Sequence, residues 1–318
     1  MAASGKWIEG IGPDSTVDEA ARRSLEVRLP AVNHWLPLAA YMAAQDVENV
    51  HRLRVSTRRA MAAVRLYRDW LPRRRVRWME KRLKKIRRAA GEARDLDVLA
   101  ERLARDYGEP RVAPVVAMIA KRRAAIQPGL VKMAERCRRR DRFVRKTAKL
   151  LAGIRPPEEH RAQPARFGEW SADRLAETAV EFFAALPDDA ADAAALHQFR
   201  IRAKVLRYTI ELVAPAFGAE LRNDYYPVVE ALQERLGKIQ DHVTAAARLR
   251  EWASEVEEGA LPEVLRELAV EESARLDDEL REFRAWWTAE RAEDLRRGFM
   301  PETLSEATKP APQVVGQT

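Results

Sequence analysis

The stretch Val50-His51-Arg52-Leu53-Arg54-Val55 recurs as Leu196-His197-Gln198-Phe199-Arg200-Ile201, at an offset of 146 residues. The same offset holds forty residues further on, where Ala90-Gly91-Glu92-Ala93-Arg94-Asp95 is matched by Leu236-Gly237-Lys238-Ile239-Gln240-Asp241. A constant offset through two separated motifs marks an internal repeat. The chain therefore reads as two copies of one unit of about 135 residues. The expected fold class is all-α, with two pseudo-symmetric helical bundles packed about a pseudo-twofold axis.

Helical periodicity carries that reading. At 100° per residue, Leu53, Thr57, Ala60, Val64 and Tyr67 fall on one face after His51, and His51, Arg54, Arg58 and Arg65 fall roughly opposite. In the second copy Phe199, Ala203, Leu206, Ile210 and Val213 make the apolar face, while His197, Arg200, Lys204 and Arg207 form or flank the polar stripe. Each copy builds a basic ridge with one turn, about 5.4 Å, between successive charges. That rise is comparable to one phosphate repeat in an extended chain. Guanidinium groups take phosphate oxygens in pairs, and lysine serves as a point charge. For His51 and His197 a ligand role and a capping or packing role near a helix start stand side by side.

Outward from the motif, helical stretches run between prolines, and few glycines interrupt them. The first dozen residues read as loose, and Ser15 or Thr16 is placed to cap the first helix. The expected organisation is a first bundle over 15–152, a polar, Pro-rich linker over 153–167, a second bundle over 168–300 and a disordered tail over 301–318. The single cysteine, Cys137, excludes an internal disulfide and a thiolate metal cluster, and fits a reducing cytoplasm. No apolar run reaches membrane-spanning length, so no membrane partner is expected.

Charge is the strongest functional signal. Residues 51–150 hold 32 Lys and Arg against 10 Asp and Glu, a local net of +22, so the remainder nets −14 within the overall +8. Self-repulsion of that size costs stability unless a polyanion offsets it. A second basic face follows the first motif: Arg74, Arg77, Lys81, Lys84, Lys85 and Arg88 share it, and the equivalent positions of the second copy are acidic or neutral. A third basic stretch, Arg136 through Lys149, is dense without a consistent facing and reads as supporting field.

Other motifs read as structural. Gly91 and Gly237 suit close helix–helix approach. Asp95, Asp97 and Asp241 lack a nucleophile or metal set and read as salt-bridge or capping residues. No metal or other cofactor is expected, because the neighbours of the histidines are cationic. His34, His160 and His242 read as incidental.

The segments His51-Arg52-Leu53-Arg54-Val55-Ser56-Thr57-Arg58-Arg59 and His197-Gln198-Phe199-Arg200-Ile201-Arg202-Ala203-Lys204-Val205-Leu206-Arg207-Tyr208 resemble the two signature helices of the CHAD (conserved histidine α-helical domain) family. Ala93 to Val98 is similar to a further family motif, and the resemblance covers residues 15–300. It implies two helical bundles with a basic central groove that binds inorganic polyphosphate, and recruitment to polyphosphate granules. The matching positions are His51, Arg54, Arg58, Arg59, His197, Arg200, Lys204 and Arg207. The chain departs from the pattern at Met61, where the first motif often carries another basic residue. Some members hold a triphosphate-hydrolysing domain ahead of the helical unit. The segment before residue 15 is too short for one, so no enzyme is expected. The alternative reading is a nucleic-acid-binding helical protein, although no aromatic stacking platform interleaves the basic stripe.

Overall fold

The computed structural model describes residues 5–187, 192–256 and 259–308. Over them the protein is all-α. The helices are α1 (Val17–Tyr41), α2 (Glu48–Leu66), α3 (Arg73–Tyr107), α4 (Glu109–Arg138), α5 (Arg142–Leu151), α6 (Phe167–Phe183), α7 (Ala193–Val213), α8 (Tyr226–Glu255), α9 (Leu261–Trp286), α10 (Ala289–Gly298) and α11 (Pro301–Ala307). Helix spans recur at the offset of the sequence motif. Shifted by 146, α2 falls on 194–212, against α7 at 193–213, and α5 falls on 288–297, against α10 at 289–298.

By contact the chain divides into two compact units, and each is assembled from separate stretches. One comprises Met1–Ser24, Ile154–Glu234 and Trp286–Thr318; the other comprises Leu25–Gly153 and Arg235–Ala285. The division falls at Gly153/Ile154, where the expected linker begins, but also within α1 and α8. Two consecutive bundles would not share helices in this way. Helices of 25 and 30 residues are about 40 Å long, enough to contribute one end to each body.

In the unit that contains residues 154–234, helix starts are tied together. Thr16 and Glu19 form a reciprocal capping box: the Thr16 amide donates to Glu19 Oε2 at 2.8 Å, and the Glu19 amide donates to Thr16 Oγ1 at 3.4 Å. Val17 N donates to Ala165 O, and Phe167 N donates to Ser15 O, so the entries of α1 and α6 brace each other. The first dozen residues are not loose where they are described. Ile8 is buried, the Trp7 ring meets Tyr226 edge-on at 4.8 Å, and Lys6 pairs with Glu230 at 3.2 Å. The expected disordered tail is corrected over 301–307, which form α11 and bury Leu304; residues 309–318 lie outside the described residues.

The prolines punctuate less than their chemistry suggests. α1 runs through Pro30 and Pro37, and α4 through Pro114 and Pro128. Pro30 and Pro37 sit on the exposed side of α1, where the carbonyls that lose an amide partner, on exposed Glu26 and Asn33, meet water instead.

The unit that contains residues 25–153 is held by a four-helix cluster. Leu96, Leu99 and Leu103 of α3 meet Val112, Val115 and Ile119 of α4, Leu249 and Trp252 of α8, and Leu265 and Leu268 of α9. A buried polar network lies in the same bundle. Arg102 Nη1 donates to Glu272 Oε2 at 2.7 Å, the His242 Nδ1 lies 2.8 Å from that oxygen, and Tyr107 OH donates to Glu272 Oε1 at 2.9 Å. His242 is therefore a structural residue and not an incidental one. Burial pushes the Glu272 carboxyl up, but the hydrogen bonds from His242, Arg102 and Tyr107 outweigh it and hold it below the usual carboxylate range.

A carboxylate held down in this way stabilises the fold above its unfolded pKa, and that stabilisation is lost as pH falls through the folded value. Glu272→Ala leaves Arg102 buried without its counter-ion and is expected to cost about 3–5 kcal/mol at neutral pH in urea denaturation. The variant's deficit is expected to shrink at acid pH, where the wild type also loses the ion pair.

Candidate functional site

The motif helix α2 places its side chains as the periodicity requires. Leu53, Thr57, Ala60, Val64 and Tyr67 are fully buried. His51 and Arg65 are exposed, and Arg54, Arg58 and Arg59 are half-buried. Met61 is buried, so this position faces inward in the first copy.

α3 brings more cations to the same side. Arg54 Nη1 donates to Gly91 O at 2.7 Å and pairs with Asp95 at 3.1 Å. A Cβ on Gly91 would stand 3.1 Å from that guanidinium nitrogen, whereas one on Gly237 would meet nothing within 4 Å. Gly91 thus makes room for an arginine head, and neither glycine mediates close helix packing as expected. Arg94 pairs with Glu48 at 3.8 Å, and Arg65 with Glu80 at 3.5 Å. Arg58 and Arg87 form no ion pair among the described residues.

Burial and like charge act together on these groups. The His51 ring lies below its ordinary value, first because its packed surroundings disfavour the charged form, then because Arg94, Arg54 and Arg58 repel it; Glu48 pulls the other way. Burial lowers Arg54, with Asp95 opposing and Arg58 and Arg94 adding to it. Burial also lowers Arg87, joined by repulsion from Arg58 and Arg65. Arg87 and Arg94 were missed as site residues. Their signal was present: each is separated by whole helical turns from Glu80 and Gly91, which face α2.

The second basic face of α3 is solvent-facing throughout: Arg74, Arg77, Lys81, Lys84, Lys85 and Arg88 are all exposed. Arg77, Lys84 and Arg88 adjoin the Glu80–Arg87–Gly91 line in helical register, while Arg74 and Lys85 turn further from it.

The second copy carries its ridge on α7 and is less open. His197 is exposed, and Arg200 and Lys204 are half-buried. Arg207 is held by its neighbours. Its Nε donates to Tyr226 OH at 3.0 Å and its Nη1 to Gln233 Oε1 at 3.2 Å, with Glu211 at 3.4 Å and Glu230 at 3.5 Å. Burial opposes the charge on Arg207, and Tyr226 and Glu211 more than restore it. Its place is in a structural network.

The stretch from Arg136 to Lys149 does have a consistent facing. Arg139 to Asp141 form a turn in which Arg140 and Asp141 take left-handed conformations, with φ 52° and 50°. Beyond it Arg142, Arg145, Lys146 and Lys149 fall on one face of α5, while Phe143, Thr147 and Leu150 are buried on the other. With Arg136, Arg139 and Arg140 they line a cavity of about 600 Å³. Counting helical phase straight through residues 139–141 blurs this arrangement, and no Gly or Pro marks the break.

Among the described residues no group of three or more His, Cys, Asp or Glu side chains is placed to hold a metal ion, and no helix is long and apolar enough to cross a membrane. Asp95 and Asp97 serve in ion pairs, Asp97 with Arg123 at 2.8 Å.

Comparison with known proteins places the fold. The model of the CHAD domain family matches residues 27–250. The crystal structure of the CHAD domain from the plant Ricinus communis is similar, with a TM-score of 0.66 at 22% identity over 89% of this chain and 96% of that one. PptA from Streptomyces chartreusis is similar with a TM-score of 0.61 at 18% identity, over 88% of this chain and 100% of that one. No curated protein matches.

NMR titration of the imidazoles, with His51 assigned by His51→Gln, checks the crowding around α2. Its midpoint is expected below that of an ordinary histidine, to fall further in Glu48→Gln and to rise in Arg94→Gln.

Proposed function

The chain belongs to the CHAD domain family, and from that premise we propose that it binds inorganic polyphosphate without turning it over. The observation that carries the proposal is the cluster on α2 and α3. Arg54, Arg58 and Arg94 gather beside His51, Arg87 lies among Arg58 and Arg65, and repulsion among them is only partly relieved by Glu48, Glu80 and Asp95. A fold keeps such a cluster at a cost in stability, and a phosphate chain removes that cost. Guanidinium pairs take phosphate oxygens in bidentate fashion, and the exposed lysines of α3 add point charges along the path.

The ridge of His197, Arg200 and Lys204 on α7 offers phosphate groups the same kind of contact. A chain long enough to engage more than one group of cations binds with avidity, so affinity rises with chain length by roughly 10²–10⁴-fold in favourable geometry. Recruitment to polyphosphate granules follows from the same binding. A neutral His51 takes up a proton when phosphate arrives, so binding tightens as pH falls toward the range where the free ring titrates.

The test is a titration with phosphate chains of increasing length at equal total phosphate, with DNA as competitor. Long chains are expected to bind far more tightly per phosphate than triphosphate, to resist DNA, and to weaken steeply with salt as condensed counter-ions are released. Replacement of Arg58, Arg65 and Arg87 with Gln is expected to lower the affinity at least tenfold and to raise thermal stability, because it relieves repulsion. Unchanged affinity in that folded variant overturns the assignment. DNA binding as tight as polyphosphate favours the nucleic-acid reading, and phosphate release that vanishes in His51→Ala overturns the non-enzymatic one.

A further inference from the structure

The geometry points to a second anion site at the α4–α5 turn, apart from the motif helices, that takes a compact oligophosphate anion. Arg136, Arg139 and Arg140 come from the end of α4 and the turn, and the cationic face of α5 closes on them around one cavity of about 600 Å³. That is room for a few linked phosphates and not for a folded partner. Among the described residues no carboxylate lines it. The turn's acidic residue, Asp141, lines a different cavity with Tyr41, Cys137 and Val144. Among the described residues none of the seven cations forms an ion pair.

The backbone is also strained to make this arrangement. Arg140 and Asp141 are consecutive left-handed residues with side chains, which glycine would occupy at no steric cost. Strain of this kind persists where the surroundings over-determine it, and it concentrates at ligand-binding turns. The turn also starts α5, and Asp141 at its cap gives no side-chain hydrogen bond to the first helical amides.

Trp78 decides which phosphate compounds fit. Arg142 and Lys146, which line the cavity, sit over its ring at 5.9 and 5.6 Å, and Arg82 does so at 5.4 Å. Its faces are thus engaged by cations and offer no stacking platform for a base. The site reads charge and compactness, so inorganic triphosphate and a nucleoside triphosphate are bound through the same phosphate groups, with no gain from the base.

The experiment uses the full chain carrying Arg58→Gln, Arg65→Gln and Arg87→Gln, which weakens the motif-helix site, with tripolyphosphate and ATP as probes at moderate salt. Calorimetry and tryptophan fluorescence are read together. One equivalent of tripolyphosphate is expected to bind and to change a fluorescence signal that disappears in Trp78→Phe. ATP is expected to bind no more tightly. Further substitution of Arg139, Arg142 and Lys146 with Gln is expected to weaken both at least tenfold. Arg140→Gly is expected to raise the melting temperature, because it relieves the left-handed strain, and to weaken binding more mildly.

The control replaces Arg105, Lys121 and Arg266 with Gln instead. All three are exposed and lie outside the cavity, and they match the tested set in charge and kind, two arginines and one lysine. An equal loss of affinity in the control shows a general field and overturns the site. Unchanged tripolyphosphate binding in the Arg139, Arg142 and Lys146 variant does so as well. Failure of long-chain binding at the motif helices leaves this result unaffected, because the cavity shares no lining residue with that surface.

Discussion

Like charges repel, and the fold of the unit that contains residues 25–153 is arranged around that constraint. Its cations are neutralised selectively. Where α3 and α4 meet α8 and α9, arginines find acids. Arg102 pairs with Glu272, Arg111 with Glu267 and Glu271, Arg122 with Glu255, and Arg275 with Asp106. Part of the acidic excess outside residues 51–150 lies here. Along α2, the first half of α3 and α5, few such partners exist, and repulsion is left standing.

This arrangement separates paired from unpaired charge within one unit. The apolar cluster of Leu96, Leu103, Leu249 and Leu265 and the buried Arg102–Glu272 pair hold one end of the helices. The other end carries the unrelieved cations. A buried pair costs desolvation and is weak evidence of stabilisation by itself, but loss of one member leaves a bare charge in the core. The unneutralised end needs no such partner while solvent and salt screen it.

Position by position, the two copies show how one plan yields unequal surfaces. Arg207, Glu211, Tyr226 and Gln233 form a closed network in the second copy. At the offset of 146 the first copy has Met61, Arg65, Glu80 and Arg87 instead. Met61 is buried, Arg65 keeps only an exposed contact with Glu80, and Arg87 gains repulsion instead of a partner. Substitution at four positions turns a satisfied polar network into an open basic one without a change in the helical frame.

The helical class and the two faces of α2 were legible in the sequence, because a 3.6-residue period expresses itself locally and needs no partner to be read. The net charge of residues 51–150 was legible for the same reason. Tertiary structure alone decided which charges are cancelled. Arg102 meets His242 and Glu272 across 140 and 170 residues, distances over which periodicity carries no information. It also decided that α1 and α8 serve both units, since a helix end is assigned by what packs on it. The cationic face of α5 was hidden by the turn at Arg140 and Asp141. Left-handed backbone is ordinarily announced by glycine, and here residues with side chains adopt it, so the phase of the helix resets where the sequence shows no break.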